Sequence, residues 1–187
     1  YSVATIGDKV YLGSYPEARL SVFEPAKPRH FGTGPNDNPR DLGRLDGVGY
    51  RPNARVATPD VRLWMGSGPD YGLRGGTLAW YDPRTGEKKS HRAIVPDTSP
   101  ASMLYLPELK QLLIGCSIEA GTGVTIQRLN GAFALWDPAK EELVWSGDLG
   151  LSDLADVTSL APAGNGLVYA LMGRGDHILT AGPPEIR

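Results

Sequence analysis

The chain has little of what much protein chemistry depends on: one cysteine, three histidines and three methionines in 187 residues. Cys116 alone can form no internal disulfide and leaves no cysteine cluster for a structural zinc, so it reads as a small buried apolar residue. His30, His91 and His177 are scattered without paired spacing, so neither a metal site nor a cofactor is expected. There is no charge excess: 19 Lys+Arg against 21 Asp+Glu give a formal charge of -2, which argues against nucleic acid or an anionic membrane surface as partner. No apolar run approaches the ~20 residues of a membrane span. No basic-then-apolar leader opens the chain, so its compartment is not indicated, and it could be cytoplasmic or exported by a signal outside this sequence.

What the chain does have is turns. With 24 Gly, 16 Pro and 41% hydrophobic residues grouped in short runs, it reads as a turn-dense β protein. No stretch sustains apolar positions at helical spacing for three turns. The phrase "GGTLAWYDPRTGE" at 75–87 returns as "GAFALWDPAKEE" at 131–142 and, more loosely, as "ARLSVFEPAKP" at 18–28. Pro25, Pro83 and Pro138 stand in register, 58 and 55 residues apart. Ahead of each copy lies a short apolar strand ending in a small residue: "KVYLGS", "RLWMGS", "QLLIGCS". A fourth such strand, "GLVYALMG", precedes "HILTAGPPEIR".

Each unit reads as four short strands, clearest in "ASMLYLP", "QLLIGCS", "GAFALWDP" and "EELVWSGDL". The turn between the last two has a chemical signature: in "DPRTGE", Pro83 presets φ, Asp82 can bond the backbone ahead, and Gly86 takes the left-handed position. A four-stranded meander repeating about every 50 residues is the pattern of a β-propeller blade. These blades resemble those of bacterial seven- or eight-bladed propellers in the broad YVTN (WD40-like), kelch-like and quinoprotein-like group. Residues 133–145, "FALWDPAKEELVW", are similar to the quinoprotein repeat, whose closing tryptophan, here Trp145, docks neighbouring blades. His91 stands at that position in the second unit, and "TAGPP" replaces Asp-Pro in the fourth.

The expectation is therefore an all-β β-propeller of four-stranded antiparallel blades in one domain, 1–187, with blades at 1–49, 50–98, 99–151 and 152–187. The last blade has room for three strands, and Tyr1 already opens an innermost strand, so the expectation is about half of a larger ring. A compact four-bladed ring is the alternative. Exposed blade edges would then meet the remaining blades or a second copy.

Propeller topology sends the second-to-third-strand loops and the interblade loops to one face. From Gly13 to Pro25 is 12 residues, from Gly66 to Pro83 it is 17, and from Gly115 to Pro138 it is 23. The extra residues are "PDYGLRGG" and "IEAGTGVTIQRLNG", and "GTGPNDNPRDLGRLDGVGYRP" is read as a long interblade connection on the same face. Long loops on a rigid scaffold are where binding residues sit. The candidates are Asn38, Arg40, Arg51, Asp70, Tyr71, Arg74, Asp97, Glu119, Gln127 and Arg128. Arginines with an aromatic and carboxylates suit a small acidic or sugar-like ligand, since guanidinium pairs bidentately with carboxylate; a protein partner fits the same loops.

No catalytic residue can be named from spacing. "GSGPDYGLRGG" is followed by a strand rather than the helix N-terminus that phosphate loops need. Ser14 and Ser67 lack a nucleophile elbow. The expected function is a non-catalytic binding platform. The rival is a carbohydrate-active lyase or hydrolase on acidic sugars, with Asp70 and Glu119 as conceivable acid and base.

Overall fold

The computed structural model describes residues 2–148, 154–163, 166–173 and 177–181. They form strands and turns, with no helix among the described residues. The first sheet is β1 (Val3–Ile6), β2 (Lys9–Ser14), β3 (Arg19–Phe23) and β4 (Arg40–Arg44). The second is β5 (Gly49–Ala57), β6 (Leu63–Pro69), β7 (Thr77–Tyr81) and β8 (Lys88–Arg92). The third is β9 (Ser99–Leu106), β10 (Gln111–Ser117), β11 (Ala132–Asp137) and β12 (Glu142–Gly147). In the fourth, β13 (Val157–Pro162), β14 (Val168–Met172) and β15 (His177–Ala181) are described. Every sheet is an antiparallel meander in chain order. The "TAGPP" turn lies mostly outside the described residues.

One expectation is corrected. The segment read as a long interblade connection contains β4, paired with β3 through Leu20↔Gly43, Ser21↔Asp41 and Val22↔Arg40. Only residues 45–48 join the first sheet to the second, while 24–39 form the β3–β4 connection. All five residues of this outer strand are half-buried, with neither face sealed against the core, so "RDLGR" lacks the apolar alternation that a strand with one buried face shows.

Period-2 alternation then explains the core. In β6 and β7, Leu63, Met65, Ala79 and Tyr81 face the first sheet and pack with Tyr11, Leu20 and Val22. Their neighbours Trp64, Leu78 and Trp80 face the third sheet and pack with Met103, Leu112, Ile114 and Trp136. The third sheet repeats the scheme, turning Leu113, Phe133 and Leu135 toward Val157, Val168 and Met172 of the fourth. Both faces of β6 and β7 are thus buried, and each large side chain contributes about 1.5–3 kcal/mol. The first strands lie side by side, β1 on β5, β5 on β9 and β9 on β13. The outer β8 (KKSHR) is polar and mostly exposed, and the outer β12 (ELVWSG) exposes Leu143 and Val144 as well as its polar residues.

The recurring small residue of the second strand has a steric cause. A Cβ on Gly66 would stand 2.6 Å from Pro100 of β9, and one on Gly115 would stand 2.5 Å from Val157 of β13. Glycine lets the first strand of the next sheet approach this closely. The repeated Asp-Pro turn behaves as its chemistry requires. Asp82 accepts from the Arg84 N–H at 2.8 Å, and Asp137 accepts from Ala139 at 2.9 Å and Lys140 at 3.1 Å. The Arg84 side chain, then its backbone N–H, hold the Asp82 carboxyl down at about 2.

Candidate functional site

The meander sends the β2–β3, β4–β5, β6–β7, β8–β9 and β10–β11 connections to one end of the sheets and the β3–β4 connection to the other. Eight candidates fall at the first end: Arg51 in β5, Asp70, Tyr71 and Arg74 after β6, Asp97 before β9, and Glu119, Gln127 and Arg128 after β10. Asn38 and Arg40 do not join them, because β4 carries them to the opposite end. Asn38 is 1% exposed and staples the β3–β4 loop. Its Oδ1 accepts from the Glu24 N–H at 2.8 Å, and its Nδ2 donates to the carbonyls of Glu24 at 2.8 Å and Lys27 at 3.1 Å.

At the first end, the two expanded loops are tied to each other by backbone. Gly72 N–H donates to Thr122 at 3.1 Å, and Gly121 N–H donates to Leu73 at 2.9 Å. A Cβ on Gly121 would run into the Asp70 carbonyl, so only glycine allows this seam. Arg74 Nε donates to the Thr125 carbonyl at 3.0 Å. Arg128 donates to the Asn130 carbonyl and pairs with Asp148, closing the longer loop on its own sheet. Arg74 and Arg128 are thus loop staples.

Charge runs across the same end as a chain of pairs. Arg19 bonds Asp41 and Glu17, Arg44 reaches Glu17 at 3.5 Å and Asp70 at 3.7 Å, and Arg51 Nη1 lies 3.3 Å from Glu119 Oε1. The Glu119 backbone is pinned, its N–H donating to Ser117 Oγ and its carbonyl accepting from Ser99 Oγ, both at 2.9 Å.

Beside this chain stands a strip of three tyrosines. Tyr15 and Tyr50 meet edge to face with centroids 5.1 Å apart, and Tyr50 and Tyr71 do so at 5.2 Å. The Tyr15 hydroxyl beside it pushes the Tyr50 phenol up from its ordinary value. The Arg51 guanidinium sits 5.9 Å from the Tyr50 ring centroid. Next to it opens a cavity of about 310 Å3 lined by Tyr15, Arg51, Pro52 and Asn53. Tyr71, Ile126 and Leu129 project from the long loops into solvent, Leu129 at 84% exposure. Loop-length arithmetic finds Tyr71 but misses Tyr15, Tyr50, Asn53, Ile126 and Leu129. Two connections and the start of β5 assemble the strip, and the one available signal is a tyrosine at or next to a strand end.

Elsewhere, Glu141 forms a polar hub between the second and third sheets. Its carboxylate accepts from Trp80 Nε1 at 3.1 Å and pairs with Lys89 at 2.6 Å and Arg62 at 3.5 Å. His91 Nε2 stands 3.1 Å away without hydrogen-bond alignment. Burial pushes His91 down, with Glu141 partly opposing, while the lysine beside Glu141 helps hold its carboxyl below the usual range despite burial. Glu141 occupies, at φ 58°, the turn position that Gly86 fills at φ 77° in the second sheet. Among the described residues no group of three His, Cys, Asp or Glu could hold a metal ion. No helix among them is long and apolar enough to cross a membrane.

The arrangement defines an all-β, propeller-like class, in which antiparallel sheets stack with their first strands adjacent. No family model and no curated protein matches the chain. Among solved structures, the extracellular domain of a putative one-component system from B. thetaiotaomicron is similar, with TM-score 0.54 and 14% identity over 95% of this chain and 21% of that one. A chain of the mitotic checkpoint complex gives 0.47 and 13% identity, over 68% of this chain and 32% of that one. The chain therefore spans a third or less of the solved chains it resembles. At such identities the likeness is one of fold.

Proposed function

We propose that this chain is a non-catalytic β-propeller binding platform whose ligand face is the end carrying the β6–β7 and β10–β11 loops. The observation that carries this reading is the seam between those loops: two backbone hydrogen bonds through Gly72 and Gly121 fix their shape. Tyr71, Ile126 and Leu129 nonetheless point outward. Rigid loops that expose apolar groups lose little conformational entropy on binding, which favours recognition of a partner. Residues 1–49, 50–98, 99–151 and 152–187 are read as successive blades. The uncovered face of the fourth sheet, with Ala161, Tyr169 and Leu171, is read as the seat of a further blade.

The rival, a lyase or hydrolase, is less well supported. Asp70 and Glu119 are each engaged by a different arginine, and His30 lies at the opposite end beside Asp37. Thermal-shift screening against sugars, organic acids and peptides tests the platform. Compounds that stabilise the wild type should lose their effect in Tyr71→Ala. A library without any stabilising compound, or hits indifferent to Tyr71→Ala and Arg51→Ala, would remove the reading.

A further inference from the structure

We propose that Arg51 anchors a carboxylate site for an acidic saccharide, and that Glu119 is its built-in competitor. The inference rests on the platform reading and names the ligand class of the same face.

Among the described arginines of this end, Arg51 is the one that lines a cavity while holding a single half-exposed carboxylate. Arg19 and Arg44 each bridge two carboxylates, and Arg74 and Arg128 are tied to loop carbonyls. The Arg51–Glu119 contact is one bond at 3.3 Å between side chains 37% and 48% exposed, a pair that solvent and salt weaken. A ligand carboxylate offering a bidentate fork would outcompete it. Because the Glu119 backbone is held by Ser99 and Ser117, its side chain stays within reach and opposes every anion that approaches.

The rest of the lining selects a sugar over a peptide anchor. A peptide hot spot asks for a deep apolar pocket. Here the cavity presents a phenol, a guanidinium and an amide beside one proline, groups that a hydroxyl-rich ring satisfies. The three tyrosine rings, in successive contact, offer apolar surface along which the C–H faces of linked pyranoses can lie.

Calorimetric titration with trigalacturonate, its neutral methyl ester and triglutamate, on the whole chain, tests this. Wild type should bind trigalacturonate, with the ester at least about tenfold weaker and triglutamate weaker than trigalacturonate. Arg51→Ala should abolish binding, and Glu119→Gln should tighten it about threefold to fivefold by removing the competitor. Both side chains are half-exposed, so unchanged melting temperatures will show that neither variant has unfolded. No binding of trigalacturonate, equal binding of the ester, triglutamate binding as well as or better than trigalacturonate, or weaker or unchanged binding in Glu119→Gln would overturn the inference. If other compounds bind in a Tyr71-dependent way while trigalacturonate does not, the inference falls and the platform stands. If nothing binds, both fall.

Discussion

Replacing Glu141 separates two effects that the third sheet holds in one residue. Its side chain, 16% exposed, is the partner of the buried Trp80 indole N–H and of Arg62, which is 14% exposed. Alanine keeps the left-handed backbone at φ 58° and removes the carboxylate. An indole N–H left without a partner costs about 1–3 kcal/mol. Lys89 is 55% exposed and adds little, and Arg62 retains Asp60 at 2.6 Å and the Pro138 carbonyl at 2.7 Å. Glu141→Ala should therefore destabilise by about 1–3 kcal/mol, lowering the melting temperature by roughly 2–12 °C for a chain of this size. Glu141→Gly loses the same contacts but relieves the strained φ, so it should be about 1 kcal/mol more stable than the alanine variant. Urea denaturation followed by tryptophan fluorescence and circular dichroism reads both numbers, provided the two probes coincide. An alanine variant within about 0.5 kcal/mol of wild type, or a glycine variant less stable than alanine, would refute the assignment of Glu141 as an intersheet clamp.

Four further outcomes follow from the geometry. Asn38→Ala should cost about 2–3 kcal/mol in urea unfolding by orphaning the Glu24 N–H, yet leave any ligand affinity unchanged because it acts at the opposite end. Gly115→Ala should destabilise by about 1–3 kcal/mol, since its methyl meets Val157; a neutral result would show that the fourth sheet can move away. Burial lowers His91 below its ordinary 6.5, so the unfolded state binds its proton first. Stability should fall as pH drops below about 6.5, fall further below about 4.5 as Glu141 protonates, and lose the first step in His91→Gln. Burial pushes the Cys116 thiol up to about 11, so a thiol reagent at neutral pH should label it at the rate of unfolding rather than at once.

The stacked sheets were legible because their packing writes itself into the chain twice. A sheet covered on both faces needs near-continuous apolar strands such as "TLAWY", and the tight turn after it needs Asp, Pro and a left-handed residue. The strand "RDLGR" was not legible, because an outer strand paired on one side through backbone alone leaves no periodic signal. That single omission placed Asn38 and Arg40 at the wrong end. The tyrosine strip was hidden for another reason: contacts between Tyr15, Tyr50 and Tyr71 join two connections to the start of β5 and follow from sheet stacking rather than from spacing along the chain. Glu141 was within reach, since aligning "DPRTGE" with "DPAKEE" sets it in the column of Gly86.

The proposed platform receives its ligand at the end built by the β6–β7 and β10–β11 loops. Hydrogen–deuterium exchange of the protein with and without a saturating concentration of the first binder from the screen tests it most directly. New protection is expected at residues 15, 50–53, 70–74 and 118–122, with the β3–β4 loop at 24–39 unchanged. Protection confined to 24–39, with none at the tyrosine strip, would contradict it.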